Sequence, residues 1–99
     1  MKDLDRWRGE IDAIDARILR LLSRRVKIAV KVGRLKRSSG LPYRSRERER
    51  ELLARLLRAN PGPLDRRSIS RVFRVVIRET LRAEESCALP PRQNKRGFQ

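Results

Sequence analysis

The amino-acid sequence predicts an all-α fold of three helices, one very long, one short and one of medium length. Three observations support this prediction. Apolar residues recur at steps of three and four in three segments, turns rich in Gly and Pro separate the segments, and no segment alternates apolar and polar residues as a strand does. The first segment is much the longest, and it sets the architecture.

The first predicted helix runs from about residue 3 to residue 37. Asp3 or Asp5 is expected to cap it, and residues 38–42 (Ser-Ser-Gly-Leu-Pro) to end it. About 33 helical residues span roughly 50 Å, too long for a compact monomer of this size. One face of this helix, here called the seam, is therefore expected to pack against a second copy in a homodimer. The seam consists of Leu4, Trp7, Ile11, Ile14, Ile18, Leu21, Arg25, Ile28, Val32 and Leu35.

Arg25 is the charged member of the seam. A guanidinium does not lose its proton, so a buried one must meet an anion. Two kinds of anion could pair with Arg25: a carboxylate of the protein, Glu49 or Glu84, or a bound ligand. Lys36 lies on the same face of the helix, about 16 Å further along. A small anion between the helices could therefore be contacted by both cations.

The second predicted helix begins after Ser45, a suitable N-cap. Glu47 and Glu49 occupy its first turn, where the helix dipole favours acidic residues. Residues 60–63 (Asn-Pro-Gly-Pro) end it. Its apolar face consists of Leu52, Leu53, Leu56 and Leu57.

The third predicted helix opens at Asp65. Its apolar stripe leads at helical steps to Thr80 and then to Glu84, which would be exposed if the end of the helix frays. Residues 1–86 are expected to form one domain, and residues 87–99 an extended C-terminal tail. The stripe consists of Ile69, Val72, Phe73, Val76 and Ile77.

Charge and cysteine content narrow the function classes. The net charge of +15, with no histidine, suits polyanions, anionic membranes or small ligands with several negative charges. Cys87 is the one cysteine, so no internal disulfide can form. The sequence shows no secretory signal and no apolar run of membrane-spanning length, and we expect a cytoplasmic protein.

Five stretches together resemble the all-helical (AroQ) class of chorismate mutases. The resemblance covers roughly residues 3–86, with helix lengths and loops in register. No single stretch is diagnostic, and their combination is quite specific. The stretches are RGEIDAID (8–15), LLSRRVKIA (21–29), VGRLK (32–36), PYRSRERE (42–49) and FRVVIRET (73–80).

The resemblance implies an intertwined helical homodimer with two equivalent sites for a small dicarboxylate. Arg25 and Arg8 of the partner subunit would hold the substrate carboxylates. Lys36 would contact the ether oxygen, whose bond to carbon breaks in the reaction. Ser45 and Glu49 would contact the substrate hydroxyl, with Arg48 as a supporting cation. Thr80 and Glu84 would complete the site from the third helix. Glu84 stands where many bacterial relatives have glutamine, and Ser45 where many have aspartate.

Helix geometry supports the assignment of Arg8 to the partner subunit. Arg8 lies about 42 Å from Lys36 along a straight helix, several times the length of a small dicarboxylate. One chain cannot bring both to one ligand, whereas an antiparallel partner can.

The implied reaction is the pericyclic rearrangement of chorismate to prephenate, in aromatic amino-acid or related secondary metabolism. It needs no nucleophile, metal or cofactor. The enzyme holds a chair-like conformer and stabilises negative charge on the ether oxygen.

Four alternatives remain open at the level of sequence. One is a regulatory homologue without activity, against which every catalytic position bears a chemically usable residue. Two use the same scaffold: a 4-amino-4-deoxychorismate mutase and an isochorismate pyruvate-lyase, because the region of Ser45 would contact the ring substituent that distinguishes these substrates. The fourth is a basic helical dimer that binds nucleic acid. The sequence lacks interleaved aromatic residues and a reader-helix motif, and neither specific nucleic-acid binding nor membrane binding is expected.

Overall fold

The computed structural model describes residues 1–88, which form three α-helices and no strands. They are α1 (Lys2–Ser38), α2 (Arg46–Ala59) and α3 (Arg66–Ala88). The all-α prediction is confirmed. The first two residues of the predicted tail, 87 and 88, continue α3, and the rest of the tail lies outside the described residues.

Two of the three predicted N-caps are confirmed. The hydroxyl of Ser45 accepts a hydrogen bond from the backbone N–H of Arg48 (3.1 Å), and the carboxylate of Asp65 accepts one from the N–H of Ser68 (2.8 Å). These bonds satisfy N–H groups that the first turn of a helix leaves unpaired. The second bond also lowers the pKa of Asp65.

The predicted cap of α1 by Asp3 or Asp5 is wrong. The carbonyl of Met1 already accepts a hydrogen bond from the N–H of Asp5 (3.1 Å), so the helix begins before both aspartates, with Met1 at the cap position. A cap residue needs an extended backbone, which neither aspartate has inside the helix. Both lie in the first turn, where their charge still favours the helix dipole.

The C-terminus of α1 turns sharply at Gly40. Its φ of +73° lies in the left-handed region, which favours glycine. The N–H of Leu41 donates to the carbonyl of Lys36 (2.8 Å), a bond typical of a glycine-terminated helix. The turn directs the following loop back toward the last part of α1.

The helices form a flat layer with α3 in the middle. Helix α3 packs against both α1 and α2, and the molecule measures 54 × 36 × 16 Å. Among the described residues, no large side chain is fully buried, so one protomer has an incomplete core.

The seam of α1 is exposed in the protomer. Its nine apolar members retain between 42% and 67% of their accessible surface. An exposed apolar stripe of this length, interrupted only by Arg25, is unusual for a monomer and typical of surfaces that take part in protein–protein contacts. On α3, Val72 is also exposed, while the other residues of its predicted stripe are half-buried.

Within residues 1–88, no helix is both long enough and apolar enough to cross a membrane. The cytoplasmic location stays a prediction.

Candidate active site

The three helices surround a cavity of about 290 Å³. Seven of the eight predicted site residues line it. Arg8 does not, because it lies near the opposite end of α1. The seven are Arg25 and Lys36 from α1, Ser45 at the start of α2, Arg48 and Glu49 from α2, and Thr80 and Glu84 from α3.

Arg25 bonds to a neutral group. Its Nη1 donates a hydrogen bond to Oγ1 of Thr80 (2.8 Å), and that hydroxyl donates in turn to the carbonyl of Val76 (2.7 Å). Thr80 is buried, with 6% of its surface exposed. Within the part of the chain that the structure describes, no carboxylate forms an ion pair with Arg25. The close internal pair with Glu49 or Glu84 is therefore not formed, and Arg25 lines the cavity.

Lys36 is held by the loop that follows α1. Its Nζ donates a hydrogen bond to the carbonyl of Tyr43 (2.7 Å) and lies 3.9 Å from Oε1 of Glu84. The second distance is too long for a hydrogen bond. The ammonium group therefore stays close to the carboxyl without engaging its lone pairs.

Glu84 is buried, so the alternative of an exposed, frayed position is wrong. Its exposed fraction is 6%, and its Oε1 has no hydrogen-bond partner among the described residues. Burial raises the pKa of this carboxyl, while the positive charges of Lys36 and Arg25 oppose the rise and the negative charge of Glu85 adds slightly to it. An unpartnered buried carboxyl is costly unless a ligand or a proton completes it.

Arg44 is a site residue that the sequence reasoning missed. Its Nε and Nη2 each lie 3.0 Å from one carboxylate oxygen of Glu49, the fork geometry typical of strong Arg–carboxylate pairs. The sequence signal that could have identified Arg44 was its position just before the N-cap Ser45, close to Glu49 in the first turn of α2. Arg48, by contrast, directs its guanidinium to the exposed Glu51 (3.3 Å).

Gly33 is a second missed residue. It is buried on α1, and a β-carbon built there would lie 3.2 Å from Cβ of Glu84 and 3.3 Å from its Cγ and Oε1. The signal in the sequence was a glycine inside a helix, about 1 kcal/mol less favourable than alanine, one turn before Lys36.

The lining suits a small anion with an apolar body. Three cationic residues and two acidic residues line the cavity; the guanidinium of Arg48 is directed to Glu51, and one of the carboxylates is already paired with Arg44. Burial raises the pKa of the other, Glu84, so this carboxyl takes up a proton more readily than an exposed glutamate. Ile28, Val32, Leu52, Ile77 and Leu81 supply the apolar wall.

Known proteins resemble this chain in sequence and in fold. A family model described as chorismate mutase type II matches residues 7–85. The structure of chorismate mutase (form II) from Thermus thermophilus superposes with a TM-score of 0.82 at 36% identity, covering 93% of this chain and 98% of that one.

Two bifunctional chorismate mutase/prephenate dehydratases are also similar. The protein from Neisseria gonorrhoeae is 47% identical over 77 residues, which are 78% of this chain and 21% of that protein. The protein from Aquifex aeolicus is 37% identical over 89 residues, which are 86% of this chain and 25% of that protein. The chain thus spans a quarter or less of the length of these curated relatives.

Proposed function

Because the chain belongs to the chorismate mutase type II family, we propose that it rearranges chorismate to prephenate. The observation that carries the proposal is the convergence of Arg25, Lys36 and Glu84 on one cavity of about 290 Å³. That volume is near the lower end for ligand pockets and fits a small dicarboxylate.

The proposed chemistry is conformational and electrostatic. One carboxylate of chorismate pairs with Arg25, whose guanidinium is oriented by Thr80 (2.8 Å) and meets no internal carboxylate among residues 1–88. Lys36 donates to the ether oxygen, on which negative charge grows as its bond to carbon breaks. Because the hydrogen bond from Lys36 to Tyr43 is already formed, the ammonium group is positioned before the substrate arrives.

Glu84 is proposed as the second donor to the ether oxygen. An ionised carboxylate would repel the developing charge, whereas a protonated one donates a hydrogen bond. The buried position and raised pKa of Glu84 favour the protonated form. Glu84 would then do what the amide of glutamine does in relatives that carry it.

The substrate hydroxyl is proposed to meet Glu49 and the region of Ser45. The Arg44 fork fixes the Glu49 carboxylate in a position where it can accept a hydrogen bond. Arg48 would turn from Glu51 toward the substrate when the site fills. An exposed pair of this kind is weak, so the turn costs about 1 kcal/mol or less.

The homodimer belongs to the proposal as well. In it, the seam of α1 packs against the seam of a second α1, and Arg8 of the partner subunit closes the cavity over the second substrate carboxylate. Two facts support this: the nine apolar seam residues are at least 42% exposed, and Arg8 does not line the cavity of its own chain. The molecule is 54 Å long, so α1 is long enough to bring Arg8 to the site of a partner.

Product identification tests the proposed function. Purified protein is incubated separately with chorismate, 4-amino-4-deoxychorismate and isochorismate, and each product is identified by NMR and mass spectrometry. We expect prephenate from chorismate as the fastest reaction. The alternatives on the same scaffold stay relevant because Ser45 lines the cavity without a carboxylate of its own. Faster turnover of either analogue would replace the proposed substrate.

A further inference from the structure

Gly33 lies on α1 directly against the side chain of Glu84 on α3. A β-carbon at this position would be 3.2 Å from Cβ of Glu84 and 3.3 Å from Cγ and Oε1. Such separations are shorter than ordinary van der Waals contacts between carbon atoms. Any side chain at position 33 would therefore displace Glu84.

The other glycine of α1 shows that this crowding is local. A β-carbon at Gly9 would meet nothing within 4 Å in the protomer. Glycine is a poor helix former, and alanine would make a better helix at either position. Of these two glycines, Gly33 alone is crowded by another helix of its own chain.

A change of rotamer cannot relieve all of the crowding. The Cβ of Glu84 is fixed to the backbone of α3. The 3.2 Å distance between it and a β-carbon at position 33 can therefore lengthen only if α3 moves away from α1. Two contacts across the same helix pair would lengthen with that movement. They are the hydrogen bond from Arg25 to Thr80 (2.8 Å) and the approach of Lys36 to Glu84 (3.9 Å).

We propose that Gly33 is a positioning residue for the reaction: its missing side chain lets the Glu84 carboxyl lie against α1, next to Lys36. The inference deepens the proposed function and rests on it, because Glu84 is assigned there to the ether oxygen. Gly33 itself touches no substrate. It acts through the position of Glu84.

The charged groups around Glu84 set the direction of the expected pH effect. Lys36 and Arg25 face it from α1 and lower its pKa, Glu85 on α3 raises it, and burial raises it most. From α2, Arg48 and Glu49 line the same cavity. A β-carbon at position 33 would push the carboxyl toward the open cavity and water. Burial, the largest influence, would then raise its pKa less. The longer distance to Lys36 would weaken an opposing but smaller influence, so the carboxyl would lose its proton at lower pH.

The test compares Gly33→Ala with Gly9→Ala, the same substitution on the same helix. Gly33→Ala is expected to lower kcat about tenfold with a smaller change in KM, because a displaced donor weakens the transition state more than the bound substrate. The acid-side midpoint of its kcat–pH profile should move to lower pH. Gly9→Ala should retain the profile and kcat of the wild type.

A second measurement needs no substrate. The carboxyl carbon of Glu84 is titrated by NMR in the free protein, with Glu84→Gln to assign its signal. We expect a lower midpoint in Gly33→Ala than in wild type. If wild type fails to rearrange chorismate, the proposed function fails, and this titration still reports whether Gly33 positions the carboxyl.

Thermal unfolding provides the readout if Gly33→Ala folds poorly. Glu84→Ala removes the Cγ and Oε1 that a β-carbon at position 33 would meet. Gly33→Ala should therefore lower Tm less in the Glu84→Ala background than in wild type. Equal losses of Tm in the two backgrounds would overturn the inference, as would a folded Gly33→Ala whose kcat, pH midpoint and titration match wild type.

Discussion

The two halves of α1 have different surroundings. Every residue from 1 to 24 is exposed in the protomer, whereas the part from Arg25 onward packs against α3 and contains buried Gly33 and half-buried Lys36. The C-terminal half forms one wall of a cavity within its own chain. The N-terminal half has the same apolar periodicity, yet all of its residues are exposed. The same helical pattern thus produces a site in one half and, by our proposal, an interface in the other.

The strongest test of this difference is to place a charge in the unpartnered half. Ile14→Glu should give a protein that no longer dimerises and has almost no activity, because dimer formation would bury two unpaired carboxylates. Ile14 is 52% exposed in the protomer, so the substitution costs little before association. Sedimentation velocity at micromolar concentration should show a dimer for wild type and a monomer, folded or unfolded, for Ile14→Glu.

Ala16→Glu is the matched control, since residue 16 lies on the opposite face of α1 from Ile14. It should remain dimeric and active. The Tm of wild type should also rise with protein concentration. A wild type that is a folded monomer at micromolar concentration would refute both the dimer and the trans action of Arg8.

The second prediction concerns the half that already forms a cavity. Lys36→Ala and Arg25→Ala should each lower kcat/KM at least about a hundredfold, which corresponds to ~2.7 kcal/mol of transition-state stabilisation. Steady-state kinetics by chorismate absorbance measures the loss. Lys31→Ala removes an exposed lysine from the same helix outside the cavity and should have little effect.

Thermal unfolding separates catalysis from packing in these variants. Arg25 hydrogen-bonds only to neutral Thr80 among the described residues, so Arg25→Ala should change Tm by a few degrees at most. A large drop in Tm would indicate that Arg25 is mainly structural.

The third prediction joins the two halves. Arg8→Ala alone should lower activity strongly, by about ten- to a hundredfold, because one substrate carboxylate loses its partner. If Arg8 acts on the site of the partner subunit, mixing Arg8→Ala with Lys36→Ala restores one intact site in each heterodimer. Random exchange of subunits should then recover about one quarter of wild-type activity.

Recovery depends on the trans arrangement alone. If Arg8 acted within its own chain, every site of the heterodimer would carry one defect and mixing would restore nothing. As the control, each variant alone is taken through the same subunit-exchange procedure and its activity is measured.

The sequence predicted the helices well because each has local signals. Ser45 and Asp65 cap α2 and α3 as expected, and the observed ends lie within a residue or two of the expected ones. The failure at Asp3 and Asp5 is instructive: a good capping residue does not stop a helix that can extend one more turn. Local chemistry ranks the possible ends of a helix without fixing them.

The site was predictable to the extent that its residues interrupt an apolar pattern. Arg25, Thr80 and Glu84 stand out for that reason, and the structure brings them to one cavity. Arg44 and Gly33 were missed because their importance lies in tertiary contacts. Arg44 matters through the distance to Glu49, and Gly33 through the atoms of Glu84 that fill the space of its missing side chain. Neither contact can be predicted from the spacing of apolar residues in the sequence.

The smallest expected effect, and the most specific, concerns the protonation of Glu84. Burial raises the pKa of this carboxyl, against the opposing charges of Lys36 and Arg25. Above that pKa the carboxylate repels charge on the ether oxygen, and below it the protonated group donates a hydrogen bond. The kcat of wild type should therefore rise severalfold as pH falls through the pKa of Glu84.

Glu84→Gln supplies a permanent N–H donor of the same shape, so it should flatten the profile and retain good activity near neutrality. Glu85→Gln, which removes an exposed carboxyl next to it, should keep the acid-side rise. The kcat–pH profiles of the wild type and the two variants test whether Glu84 acts at the ether oxygen. A folded Glu84→Gln that is inactive at every pH, or a wild type without the acid-side rise, would place Glu84 away from the ether oxygen. The burial of its unpartnered Oε1 would then be a feature of packing between α1 and α3, with no part in the reaction.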